Sequence, residues 1–241
     1  MEDKLRLHKL AVLAEEPSSV AQAICRAFGL SVAFEDPELA QHQMRNSIIP
    51  VGDAFLEVAA PLTRDGPAAR FLAGSGAGGM VTIVQTDDLA VAELRIARTG
   101  VDIAHRIDKP EATELQLAHK DVGGCLLSID AARPTDSWVL AGPRWRDHVR
   151  TRLVDGFAGV DIACGDPATI ARRWGAVLGR QVHDPLDGRF RIALDEGSDV
   201  AFLQKDGDAP DRMVGIRLRA NAPEAIGRAV QIGTLAIRVV G

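Results

Sequence analysis

The chain has 241 residues, 46% of them hydrophobic and 25% charged, with a net charge of -5, which suits one large domain or two small ones. Arg alternates with Asp and Glu, and aromatics are only 4% with no Tyr, so neither the basic stripe nor the stacking platform of a nucleic-acid binder is present. No run of about 18 apolar residues marks a transmembrane helix, and the opening MEDKLRLHKL lacks the apolar core of a signal peptide.

Leu5 to Leu13 reads as a strand, and Pro17-Ser18-Ser19 starts a helix. Val20, Ala23, Ile24, Ala27 and Phe28 fall on one face of that helix, and Gly29 stops it. Three extended runs follow, Leu30–Phe34, Asn46–Val51 and Ala54–Ala59, the last two joined as a hairpin through Gly52-Asp53. The order is strand, helix, strand, strand, strand.

That order returns. Met80–Thr86 is a strand, Asp87-Asp88 opens a helix ending before Gly100, and Val101–Ile107, Thr113–Ala118 and Cys125–Ile129 are three more strands. A third copy starts at Gly159–Cys164. Its helix carries Ile170, Trp174, Val177 and Leu178 on one side, and Phe190–Leu194 with Val200–Gln204 closes it. A fourth begins at Met213–Arg219, continues as a helix with Ala222, Ala225, Ile226, Ala229 and Val230 along one side, and ends in a single strand, Leu235–Val240. The openings recur about every 50–80 residues, a range in which internal repeats decide an architecture. Ala131–Val154 reads as a linker with one short helix around Trp145–Arg150.

One such module cannot bury its sheet alone. The expectation is therefore an α+β fold of tandem βαβββ modules pairing into curved mixed sheets with helices outside. Residues 1–130 would form one paired-module domain, 131–154 a linker, and 155–241 a second, shortened domain. Cys25, Cys125 and Cys164 sit in apolar stretches, as buried thiols of a cytoplasmic protein do.

Four stretches, LHKLAV, IIPVGDAFLEVAAP, GPAARFLAGSGAGGM and LAHKDVGGCLLSID, lie within residues 5–130. On them the sequence resembles the vicinal oxygen chelate superfamily, which includes glyoxalase I, bleomycin-resistance proteins and extradiol dioxygenases. The likeness is nearest to methylmalonyl-CoA epimerases. Beyond Asp130 only the module pattern persists.

The resemblance implies one divalent metal ion (zinc, cobalt, manganese or nickel) held by four side chains. Such a cation binds neighbouring substrate oxygens and stabilises an enolate as a proton leaves the adjacent carbon. By motif, His8 takes the first-strand ligand position and Glu57 the fourth-strand one, so Glu57 doubles as the catalytic carboxylate. The second module departs from the pattern. Its imidazole position falls on Val81 or Thr82, and its closing carboxylate position on Ser128. Gly159 and Gly215 hold the equivalent imidazole positions of the later copies, and Gln204 takes the place of Glu57 in its own. The general-base position falls on Gln41, with Glu35, Glu38 or His42 as substitutes.

Substrate contacts are assigned to Arg45, His119, Lys120 and Ser128, the basic residues forming a rim for an anionic substrate such as a coenzyme A thioester. His105 alternates with Ile103 and Ile107 and can face a cavity, whereas HDPLDGR at 183–189 reads as a turn. GSGAGG at 74–79 lacks the flanking residues of a phosphate loop. Two functions follow: a metal-dependent isomerase or lyase acting beside a carbonyl or acyl thioester, or a metal-free protein that binds or sequesters a small molecule. The unfinished fourth copy leaves a sheet edge to be covered, so a homodimer is expected, with neither nucleic acid nor membrane as partner.

Overall fold

Strand β1 runs over Leu5–Leu13 and is followed by helix α1, Pro17–Phe28, in the computed structural model, which describes residues 3–184 and 187–241 and, for residue 139, the backbone alone. Pro17 occupies the first turn of α1, Ala21, Ile24 and Phe28 are buried, and Gly29 closes it in the left-handed conformation at φ 68°. Strands β2 (Met44–Val51) and β3 (Ala54–Pro61) form a hairpin turning at Gly52, φ 64°. A Cβ there would lie 2.1 Å from the Asp155 carbonyl oxygen, so glycine is required both by torsion and by space. Helix α2 (Pro67–Ser75) lies within the connection to β4 (Gly78–Thr86).

Helix α3 (Leu89–Thr99) starts where the Asp88 carboxylate accepts the Val91 N–H, the usual role of Asp at this position. Strands β5 (Ile103–Asp108) and β6 (Ala112–Leu117), the short helix α4 (His119–Val122) and β7 (Leu126–Ala132) complete the second module. Strand β8 (Val154–Cys164) leads into α5 (Pro167–Leu178), whose first turn is capped by Asp166. Then come β9 (Val182–His183), β10 (Phe190–Ala193), β11 (Asp199–Gln204), β12 (Arg212–Ala220), β13 (Ala229–Ile232) and β14 (Leu235–Val240).

The repeat is visible in the strand pairing. In the second module β4 pairs in parallel with β7, and β7–β6 and β6–β5 are antiparallel. The third has the same scheme, β8–β11 parallel, then β11–β10 and β10–β9 antiparallel. The first has β1–β3 parallel and β3–β2 antiparallel, and the fourth β12–β14 parallel and β14–β13 antiparallel. The architecture is α+β with mixed sheets, as expected.

The chain forms two compact units. One contains the residues up to His8, Val81–Trp138 and Gly159–Met213, hence the second and third modules. The other contains Lys9–Met80, Val139–Ala158 and Val214–Gly241, hence most of the first module and the fourth. In the first unit α5 packs on β10 and β11, with Trp174 edge-on to Phe202 at 5.3 Å. In the second, α1 packs on β2, β3 and β13.

Several elements differ from the periodicity. The fourth module has only a short 3-10 turn, Pro223–Ala225, before β13. Gly227 adopts φ 84°, and its N–H bonds to the Val239 carbonyl while Val239 N–H bonds to Arg228, so the backbone is committed to β14 and cannot coil. The fourth copy therefore ends in a hairpin, not a lone strand. Leu30–Phe34 is reduced to one bridge, Phe34 to Ile48. Within Ala131–Val154, Trp138 and Trp145 are buried, and the short helix around Trp145–Arg150 is a 3-10 turn, Trp145–His148. The expected turn over 183–189 includes residues 185 and 186, which lie outside the described residues; His183 itself belongs to β9.

Candidate functional site

Side chains alternate along a strand, so the β1–β3 register, Lys9 beside Phe55 and Ala11 beside Glu57, puts Lys9, Ala11, Phe55 and Glu57 on one face. Asn46 joins them from β2, where it pairs with Ala59, two residues from Glu57. The Lys9 Nζ lies 3.0 Å from Glu57 Oε2, and Asn46 Nδ2 donates to Glu57 Oε1 at 2.6 Å. Lys9 and Glu57 are each only 8% exposed. Burial pushes the Glu57 carboxyl up, but the Lys9 ammonium and the Asn46 hydrogen bond outweigh it, and the group is held below its ordinary value. Phe55 stacks edge-on to Trp145 at 4.9 Å, which walls the same face with aromatic carbon.

His8 precedes Lys9 and so points to the opposite face of β1 from Lys9 and Ala11. Its ring meets Trp138 edge-on at 4.4 Å, and it is fully buried. On the same side of β1, Arg6 Nε donates to Gln85 Oε1 at 2.6 Å, and Gln85 Nε2 donates to the Thr135 carbonyl at 3.0 Å. The β4–β7 register places Val81, Ile83, Gln85, Ser128 and Asp130 on one face. Ser128 Oγ donates to Asp130 Oδ1 at 2.5 Å, and Asp130 is fully buried. Thr82 points the other way, 3.3 Å from Cys125 Sγ, so Val81 is the residue that shares a face with Ser128.

Glu57 and Arg45 belong to one compact unit and His8, His119, Lys120 and Ser128 to the other. Arg45 is exposed and pairs with Glu16 at 3.2 Å, and Lys120 is exposed and pairs with Asp102 at 3.1 Å. His119 is exposed at the start of α4. Among the alternative bases, Glu35 accepts a hydrogen bond from Ser47 at 3.4 Å, and Gln41 and His42 are exposed. Lys9, Asn46 and Asp130 are the polar residues that motif matching misses. For Asp130 the signal is simple: it stands two residues beyond Ser128 on an apolar strand, hence on the same face.

The divalent metal implied by the resemblance does not fit these donors. Both Glu57 oxygens are engaged by Lys9 and Asn46, His8 leaves β1 on the opposite face, Val81 offers no donor, and the Ser128 hydroxyl is hydrogen-bonded to Asp130. No group of three or more His, Cys, Asp or Glu arranged to hold a metal occurs among the described residues.

Comparison with solved structures places the architecture. A hypothetical protein from Staphylococcus aureus superposes with a TM-score of 0.72 at 8% identity, covering 98% of this chain and 99% of that one. A mutant 4-hydroxymandelate synthase from Streptomyces coelicolor gives 0.69 at 12%, covering 92% of this chain and 72% of the synthase. A methylmalonyl-CoA epimerase in complex with methylmalonyl-CoA and ammonium gives 0.50 at 16%, over 56% of this chain and 99% of the epimerase. The fold is that of the vicinal oxygen chelate superfamily. At these identities the likeness is one of fold. No family model matches the chain, and no curated protein matches it. Among the described residues, no helix is long and apolar enough to cross a membrane.

Proposed function

We propose that this vicinal oxygen chelate scaffold is a small-molecule-binding protein in which an internal ion pair replaces a metal. The observation that carries this is the Lys9–Glu57–Asn46 cluster. The one carboxylate that motif matching assigns to a metal in the first module is neutralised by an ammonium group from the adjacent strand. A carboxylate so held is a poor proton acceptor, because the ion pair lowers the proton affinity that general-base work needs. Isomerase or lyase chemistry through a metal at Glu57 would require that pair to open. The ligand class supported by the sequence motifs is an acyl thioester or other carbonyl compound, whose oxygens can accept hydrogen bonds from Lys9 and Asn46.

Metal content and ligand-induced stabilisation of the purified protein test this. The expected result is less than a tenth of an equivalent of zinc, cobalt, manganese or nickel, and a rise in Tm with methylmalonyl-CoA or acetyl-CoA, since a ligand of the folded state stabilises it. The part of that rise that exceeds the rise with unacylated coenzyme A should vanish in Glu57→Gln. A stoichiometric metal that is lost in Glu57→Gln would overturn the reading in favour of the enzyme. We also infer a homodimer. Strand β5 pairs only with β6 among the described residues and exposes Ile103 and Ile107, an open edge that a second copy would cover; a monomer in light scattering refutes it.

A further inference from the structure

Outside the polar faces described above, the unit built from the second and third modules carries a cavity of about 460 Å³ on its helical side. It is lined by Arg98 and Thr99 at the end of α3, Lys120 and Asp121 of α4, and Arg173 of α5. The volume is in the range of small-ligand sites. Its walls are fixed to one another. Arg95 Nε donates to the Val177 carbonyl at 2.6 Å, tying α3 to α5, and Trp174 Nε1 donates to the Gly123 carbonyl at 3.3 Å, tying α5 to the turn after α4. A Cβ on Gly123 would come within 2.4 Å of Ile170 Cδ1, so α5 and that turn are in close contact.

The charges around the cavity do not balance. Asp121 accepts the Asp102 N–H at 3.1 Å, and Lys120 sits 3.1 Å from Asp102 and 3.8 Å from Asp121. Those two carboxylates are committed to that lysine and a backbone amide. No hydrogen bond or close ion pair engages the side chains of Arg98 and Arg173 among the described residues, although Arg173 feels the charge of Asp166 at the start of α5. Arg98 in the last turn of α3 complements the negative end of the helix, but Arg173 lies in the middle of α5, where no helix end asks for a cation.

We propose that this cavity binds the phosphoryl group of a small phosphorylated molecule. Two guanidinium groups with uncommitted donors suit a dianionic tetrahedral group, since each can offer a paired fork of N–H bonds to its oxygens. Lys120, held between Asp102 and Asp121, adds no net charge at the rim, so the two arginines carry the attraction.

Calorimetric titration of the full chain with inorganic pyrophosphate, at constant low ionic strength, tests the proposal. Saturable one-to-one binding is expected, weakened at least tenfold in the double variant Arg98→Gln/Arg173→Gln and unchanged in Arg172→Gln, which alters an exposed arginine outside the cavity lining. Both substituted arginines are exposed, so the variants should keep the circular dichroism spectrum of the parent. Absence of saturable binding, equal affinity in the double variant, or equal weakening by Arg172→Gln would each overturn it. Glu57→Gln should leave pyrophosphate binding intact, which separates this cavity from the Lys9–Glu57 cluster.

Discussion

Replacing Lys9 by Met removes the ammonium group but keeps most of the side chain's length, leaving Glu57 at 8% exposure with Asn46 as its remaining partner in the cluster. Breaking a buried pair by removing one partner costs about 3–5 kcal/mol, because the other charge stays uncompensated. Replacing both, as Lys9→Met/Glu57→Leu, should cost far less, since an apolar pair of similar volume is often neutral or better. The pH dependence supplies the sharper test. In the native protein the Glu57 carboxyl is held below its ordinary value of 4.5. Its contribution is therefore present above that value and lost as the pH falls through the lower folded value. Without Lys9, burial is opposed by Asn46 alone and lifts the carboxyl above 4.5. The contribution is then present at acid pH and lost as the pH rises through the raised value. Urea unfolding at intervals from about pH 4 to 7 should show Lys9→Met losing stability with rising pH relative to the parent, and the double variant showing neither slope. A loss below about 1 kcal/mol in Lys9→Met, with a pH profile parallel to the parent, would mean that the pair is solvated and the ion-pair reasoning is wrong.

Gly52→Ala should destabilise the protein by more than about 1 kcal/mol, through the left-handed torsion and the overlap with the Asp155 carbonyl; chemical denaturation measures it. Trp174→Ala should cost about 3–5 kcal/mol, because the side chain is fully buried against Phe202, whereas Trp174→Phe should lose little beyond the hydrogen bond to Gly123. Burial pushes the Cys125 thiol up to about 12 and, helped by Asp211 and Asp166, does the same for Cys164; it lifts Cys25 to about 11. Native protein at pH near 8 should therefore react slowly with a disulfide reagent at all three cysteines, while urea-unfolded protein should react at once, the thiolate being the reactive form.

The module repeat was legible because each copy writes two periods in succession: alternation for the strands, then apolar residues every three or four for the helix. α1, α3 and α5 also carry capping or stop residues, Gly29, Asp88 and Asp166 among them, and these mark ends that periodicity leaves open. The fourth copy misleads because Ala222, Ala225, Ile226, Ala229 and Val230 satisfy the helical spacing. Pro223 and Gly227 between them set the backbone instead, and Ile226 ends 53% exposed. Which modules share a compact unit is a matter of long-range packing, for which no local pattern in the chain carries a signal. Helix α2 was hidden for another reason: none of its residues is buried, so its apolar spacing is too weak to stand out.

The site was harder to read because strand faces are set by parity. A one-residue change of register turns every side chain to the other face, so matching LHKLAV by its apolar letters left the facing of His8 undetermined, as it did the choice between Val81 and Thr82. A physical cue was nonetheless present. Lys9 and Glu57 are the lone charges of opposite sign in two otherwise apolar cores, KLAVL and FLEVA. Burying either alone is costly, and strands 1 and 4 of such a module pair in parallel. Two isolated opposite charges on strands that must pair should be matched with each other before either is assigned to a metal. By that rule the parity of β1 alone turns His8 away from Glu57, and Lys9 and Glu57 form an ion pair where the motif suggests a ligand set.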